Sequence, residues 1–129
     1  MIAMMDNNRP KKKLFTSELR VMNVLWKNGN MTAKAISDVL KEKVGWNINT
    51  TYTVIKKCIA KGAVERTEPN FMCHSIVTKD AVQKAECEEL VEKLFDGRPE
   101  LLVATLISSC ALSKEQKDSL REMVNNLED

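Results

Sequence analysis

"NINTTYTVIKKCIAKG", residues 47 to 62, decides the fold. Wound at about 100° per residue, it places Ile48, Thr51, Tyr52, Ile55, Cys58, Ile59 and Gly62 on one side of a helix. Asn49, Thr50, Thr53 and Lys57 lie opposite, flanked by Lys56 and Ala60. The first side is apolar enough to bury. The second is short-chained, hydrogen-bonding and basic, and the segment holds no Asp or Glu, whereas an ordinary solvated face mixes Glu with its Lys. Such a face suits a polyanion.

Two helices are predicted before it. The first starts from a cap at Thr16 or Ser17, runs to about Asn28 with Leu19, Met22, Leu25 and Trp26 inward, and stops at Gly29. Thr32 caps the second, whose Ile36, Val39, Leu40 and Val44 keep the i, i+3, i+4 spacing, with Gly45 just past its end. Asn47 then caps the opening helix and Gly62 stops it. After Gly62 the period changes. "AVERT" and "FMCHSIV" are short β-branched and aromatic runs separated by Glu68, Pro69 and Asn70, so residues 63–77 are predicted to form a two-stranded hairpin.

Three helices followed by a hairpin is the order of a winged helix-turn-helix, in which the third helix enters the major groove. Asn49, Thr50 and Thr53 then have the chemistry to hydrogen-bond base edges or phosphates, and Lys56 and Lys57 to neutralise phosphates. Trp46, in the turn before the helix, either packs against the first helix or donates its indole N–H to a phosphate. Tyr52, at the edge of the buried arc, carries the same two readings.

Further helices are expected downstream. Thr78 precedes an amphipathic pattern through Val82, Ala85, Leu90, Val91, Leu94 and Phe95 that ends at Gly97. Pro99 suits the first turn of "PELLVATLISSC", which is apolar on nearly every side. Ser113 with Gln116 forms a capping box for a last helix presenting Leu120, Val124 and Leu127. These helices follow a small domain and need something to bury against, and a second copy of the chain is the economical choice. Residues 1–13 carry Asn, Pro and a Lys run without periodicity and read as a disordered basic arm. The expected division is therefore 1–13 arm, 14–78 winged-helix DNA-binding domain and 79–129 helical dimerisation domain in a mainly α protein.

Charge supports the division. Residues 1–67 hold 13 Lys/Arg against 5 Asp/Glu, a balance of +8, while residues 68–129 hold 7 against 13, a balance of −6. The basic half is expected to meet a polyanion, namely double-stranded DNA. No apolar run approaches the roughly 20 residues that span a bilayer. The N-terminal charges follow the apolar residues, the wrong order for a signal peptide, so the chain reads as cytoplasmic, without membrane insertion, and with its four cysteines reduced.

Catalysis and metal binding find little support. The single His74 neighbours Cys73 on a predicted strand, so the two side chains point to opposite faces, and no other Cys or His stands at ligand spacing. No Gly-rich phosphate loop is present, and the four glycines sit where helices stop. The thiols are expected to pack as small hydrophobes. Neither an enzyme nor a cofactor is predicted.

"ELRVMNVLW" at 18–26, Trp46 and "TTYTVIKKCIAKG" at 50–62 resemble the penicillinase repressor family, bacterial transcriptional repressors of the BlaI, MecI and CopY type. The likeness extends from about Leu14 to Leu127, and "FDGRPELLVATLI" resembles the family's approach to its C-terminal dimerisation helices. The resemblance implies a homodimer that represses a promoter until an inducing signal, delivered by a protease or membrane sensor, cleaves or releases it. Leu90, Leu94, Leu102, Leu106, Ile107, Leu120 and Val124 would hold that dimer, and its two third helices would read a palindrome with half-sites about one or two helical turns apart.

The chain departs from the family at several points. Its wing turn is "EPNF" where the pattern carries Gly-Arg, and Phe15 replaces a Thr or Ser cap, a role that passes to Thr16. The bond aligned with the Asn-Phe bond cut in the β-lactam-responsive branch is Thr105–Leu106, and the paired Cys-x-Cys motifs of the copper-responsive branch are absent. The rival readings are a helical protein-interaction module without sequence-specific DNA binding and a copper-responsive repressor that lacks those motifs.

Overall fold

The computed structural model describes residue 10 and residues 12–127. The greater part of the expected basic arm lies outside the described residues. The first helix, α1 (Thr16–Asn28), is capped otherwise than expected. Thr16 is already helical, and Phe15, which has no side-chain acceptor, takes the cap position. Glu18 supplies the missing group: its carboxylate accepts from the Phe15 N–H at 2.8 Å. Gly29 follows the last turn, its N–H donating to the Leu25 carbonyl.

Met31–Thr32 forms a short strand, β1, which the sequence does not announce because two residues carry no alternation to read. Thr32 has a second duty, since its Oγ1 accepts from the Ala35 N–H at 3.1 Å and opens α2 (Ala33–Val44). Gly45 ends that helix in the left-handed region at φ 74°. A Cβ added there would meet no atom within 4 Å, so the requirement is the backbone angle and not space. Asn47 Oδ1 accepts from the Thr50 N–H at 2.8 Å and starts α3 (Ile48–Ala60). The predicted caps of α2 and α3 are the observed ones.

The hairpin also forms. β2 (Val64–Thr67) pairs antiparallel with β3 (Met72–Ser75) from Val64 opposite Ser75 to Thr67 opposite Met72. β1 adds to the free edge of β3, with Met31 opposite Cys73, giving the sheet order β1-β3-β2. The Trp26 indole N–H donates to the Val77 carbonyl at 3.0 Å and contacts Ser75 Oγ at 3.2 Å, fixing the end of α1 to the chain that leaves β3.

The helices and the sheet close over Val21, Met22, Ile36, Ile55 and Val64, all fully buried. Each such side chain contributes about 1.5–3 kcal/mol of transfer free energy. Truncating Ile55, at the centre of α3, to Ala would cost about 2–5 kcal/mol. The inward arc of α3 differs from the helical-wheel expectation at two places. Ile48 is 47% exposed, and Val54 is buried.

The chain divides into two units, residues 1–86 and 87–129, and the division falls inside α4 (Lys79–Leu94). Thr78 Oγ1 accepts from the Ala81 N–H at 3.0 Å at the start of α4. In the first unit Val82 joins the core. The second unit contains the rest of α4, then α5 (Pro99–Ser109) and α6 (Lys114–Asn125). The Ser113–Gln116 capping box is present, with Gln116 N–H to Ser113 Oγ at 3.1 Å and Ser113 N–H to Gln116 Oε1 at 2.9 Å. Neither α5 nor α6 buries a residue. No helix among the described residues is long and apolar enough to cross a membrane.

Candidate nucleic-acid interface

The exposed face of α3 carries Asn49, Thr50, Thr53, Lys56 and Lys57, all solvent-accessible as expected. A concavity of about 450 Å³ runs along it. Its lining includes Asn49, Thr50, Thr53 and Lys57 of α3, the turn residues Trp46 and Asn47, and Ser17 of α1. Ser17 had no role in the sequence reading beyond a possible cap, since nothing local shows that α1 begins beside α3. Trp46 is half-buried against the core, as its packing reading expects, and it also lines the concavity. Tyr52 turns to the wing instead, where its ring meets Phe71 edge-on at 5.5 Å and 74°.

The wing holds a cation that the sequence reading passed over. Arg66 of β2 lays its guanidinium 3.6 Å from the centre of the Phe71 ring and hydrogen-bonds Glu68 through Nε. The hydrogen bond from Arg66, then that from the Phe71 N–H at 3.3 Å, hold the Glu68 carboxyl below the usual carboxylate range. Phe71 itself sits at φ 53°, a strained angle for a bulky side chain, and occupies the turn where the family pattern carries Gly. Its ring contacts with Arg66 and Tyr52, and the Ala33 N–H donated to its carbonyl at 2.9 Å, hold it there.

Behind the face, a buried ion pair ties the end of α3 to the first turn of α1. Lys61, the residue after α3, reaches the Glu18 carboxylate, donates to the Lys13 carbonyl at 2.7 Å and lies 3.8 Å from the Phe15 ring centre. Burial pushes the Glu18 carboxyl up, but hydrogen bonds from Lys61 and the Phe15 N–H, with the Lys61 and Lys57 charges, outweigh it and hold the group below its usual range. The two sequence blocks that carry the family resemblance therefore meet through their charged residues. The same proximity acts on Cys58, whose thiol burial, then the Glu18 charge, pushes up to about 12. Cys73 is pushed up to about 11 by burial, against the opposing charge of Arg66.

Cys58 and Cys73 are buried as expected, but Cys87 of α4 and Cys110, the residue that ends α5, are exposed. His74 is held by Thr67, Oγ1 to Nε2 at 2.7 Å. No three His, Cys, Asp or Glu residues gather to hold a metal ion among the described residues.

In the second unit, Leu90, Leu94, Leu106, Ile107 and Val124 are exposed, and Leu102 and Leu120 are half-buried. Between α5 and α6 lies a groove of about 660 Å³ with Val103, Ile107, Leu120 and Val124 among its lining. Thr105 and Leu106 are both exposed within α5, the Thr105 hydroxyl donating to the Leu101 carbonyl at 3.0 Å.

A three-helix body, a hairpin wing and a basic, acid-free face on the third helix define a winged-helix DNA-binding protein. The penicillinase repressor family model matches residues 15–126, and the chain belongs to that family of transcriptional repressors. The methicillin resistance regulatory protein MecI of Staphylococcus aureus (strain N315) is 24% identical over 123 residues, covering 94% of this chain and 98% of the relative. The MecI protein of Mammaliicoccus sciuri matches at the same identity and coverage. An uncharacterised 16.5 kDa protein in the ptsI 3' region of Latilactobacillus sakei is 24% identical over 114 residues, 87% of this chain and 78% of the relative.

Proposed function

We propose that the chain is a cytoplasmic repressor that binds a palindromic operator as a homodimer, residues 14–78 contacting DNA and 79–129 holding the dimer. The observation that carries this reading is the exposed face of α3, where Asn49, Thr50 and Thr53 present short hydrogen-bonding groups between Trp46 and the cations Lys56 and Lys57. Short polar chains allow a helix to approach base edges closely, and the flanking lysines neutralise phosphates. Trp46 and Tyr52 complete the contact region, Trp46 at the phosphate backbone and Tyr52 through the wing residue it supports.

One such domain makes few base contacts, so useful affinity requires two, and dimerisation supplies the effective concentration of the second. Of the seven apolar residues of α4, α5 and α6, Leu90, Leu94, Leu106, Ile107 and Val124 are exposed in a single chain and support a dimer. Cleavage at Thr105–Leu106, by a protease under the control of an inducing signal, would split that surface and release the operator. Because both residues lie within α5, the protease must first unwind a turn of helix.

The test measures binding to duplex DNA selected from a random pool and to unselected duplex, across a salt series. Thr53→Ala should lower the discrimination between the two by about 1–3 kcal/mol. Lys57→Ala should weaken both and reduce the salt slope by about one unit. Failure of the wild-type chain to bind any duplex at low salt would favour the rival interaction module.

A further inference from the structure

A second basic concavity, of about 630 Å³, lies between α1 and α2. Its rim carries Arg20 and Lys27 from α1, Lys43 from α2 and Lys79 at the start of α4, all exposed. No carboxylate is among its lining residues, and none of the four cations is in an ion pair among the described residues. Glu42 stands in the adjoining concavity, which shares Lys27 and Lys43. The floor is apolar: Val24 and Leu40 are buried, and Trp26 and Val44 half-buried. Because the Trp26 N–H is already given to Val77 and Ser75, its ring offers the cavity carbon surface and no competing donor.

We infer that this concavity binds a small amphipathic organic anion, its acid group held by the Arg20, Lys27, Lys43 and Lys79 rim and its apolar body seated on Trp26, Leu40 and Val44. Four like charges around one opening repel each other and favour a counter-anion. The volume falls within the roughly 300–1,000 Å³ of small-molecule sites, and an apolar floor with a few convergent charges is their usual chemistry. A DNA phosphate would use the rim but leave the floor empty. The cavity shares no lining residue with the α3 concavity. Along α1, Trp26 stands about 13 Å from Ser17, at 1.5 Å per residue.

The probe is 4-phenylbutyrate, titrated into the full chain by calorimetry, with 4-phenylbutyramide and inorganic phosphate as comparisons. The carboxylate should bind saturably, the amide and phosphate each much more weakly, and the double variant Arg20→Ala, Lys43→Ala should lose about tenfold or more in affinity. Both replaced side chains are exposed, so the fold survives and circular dichroism checks it. Trp26 is the local reporter: its emission should change on binding in a Trp46→Phe background. Equal binding of the amide, equal binding of phosphate, or an unchanged double variant would overturn the inference. So would displacement of the probe by duplex DNA with the salt slope falling in the double variant, which would make the rim a phosphate track.

Discussion

Replacing Lys61 by Met tests how α3 is anchored to α1. The side chains of Glu18 and Lys61 are 3% and 14% exposed, and Met keeps the stem of Lys61 while removing its charge. Glu18 would then retain the Phe15 N–H as its remaining partner in the core. Stranding a buried charge in this way costs about 3–5 kcal/mol, a large share of the roughly 5–15 kcal/mol that stabilises a domain. The pH dependence gives the sharper check. In the wild type the Glu18 carboxyl is held below its usual range, so its contribution is fully present above the unfolded-state value and is lost as pH falls through the folded-state value. Without Lys61, burial is opposed only by the Phe15 N–H and the Lys57 charge, so the folded-state value should rise. The variant is then penalised at neutral pH and relieved on acidification, so the gap between the two proteins should narrow from about pH 7 to about pH 4. Urea unfolding followed by tryptophan emission reads the right unit, because Trp26 and Trp46 both lie in residues 1–86. Adding Glu18→Gln should restore much of the loss, since a neutral amide oxygen still accepts from the Phe15 N–H. A Lys61→Met protein within about 0.5 kcal/mol of wild type, or a gap that ignores pH, would refute the reasoning.

Three further outcomes are expected. Leu106→Asp places a charge on the uncovered face of α5, so sedimentation should show a monomer and operator binding should fall steeply while the winged unit stays folded; a dimeric variant, or a monomer with wild-type operator affinity, would count against the dimer. Thr51 is fully buried and its hydroxyl has no hydrogen-bond partner among the described residues, so Thr51→Val should gain about 1 kcal/mol in urea unfolding, and a comparable loss would show that the hydroxyl is engaged. At mildly alkaline pH a thiol reagent should modify Cys87 rapidly but Cys58 and Cys73 only on unfolding, since both are buried and their thiolates disfavoured; peptide mapping of the labelled chain distinguishes the cases.

Local chemistry was legible in the sequence and distant pairing was not. Thr32, Asn47 and Ser113 cap their helices as expected because a cap needs only a side chain and the next turn of backbone. The polar face of α3 was equally readable, because its residues share one helix. Lys61 looked like one more cation of that helix, yet its partner Glu18 is 43 residues away. Phe15 at a cap position makes sense only once Glu18 is seen to reach back to it. Ile48 and Val54 depart from the wheel for a related reason: it gives each residue an angle but not which angles the neighbouring elements cover. Arg66 carries no local signal of its role, because its partner Phe71 stands across the wing turn from the strand that holds the cation.

The central claim is that the exposed face of α3 meets DNA, and amide chemical shifts test it most directly. A selected operator duplex is titrated into the ¹⁵N-labelled chain and the perturbed residues are mapped. The account predicts the largest changes at Asn49, Thr50, Thr53, Lys56 and Lys57, with smaller ones at Ser17, Trp46 and the wing around Arg66. Changes confined to α5 and α6, with α3 undisturbed at saturating duplex, would contradict it.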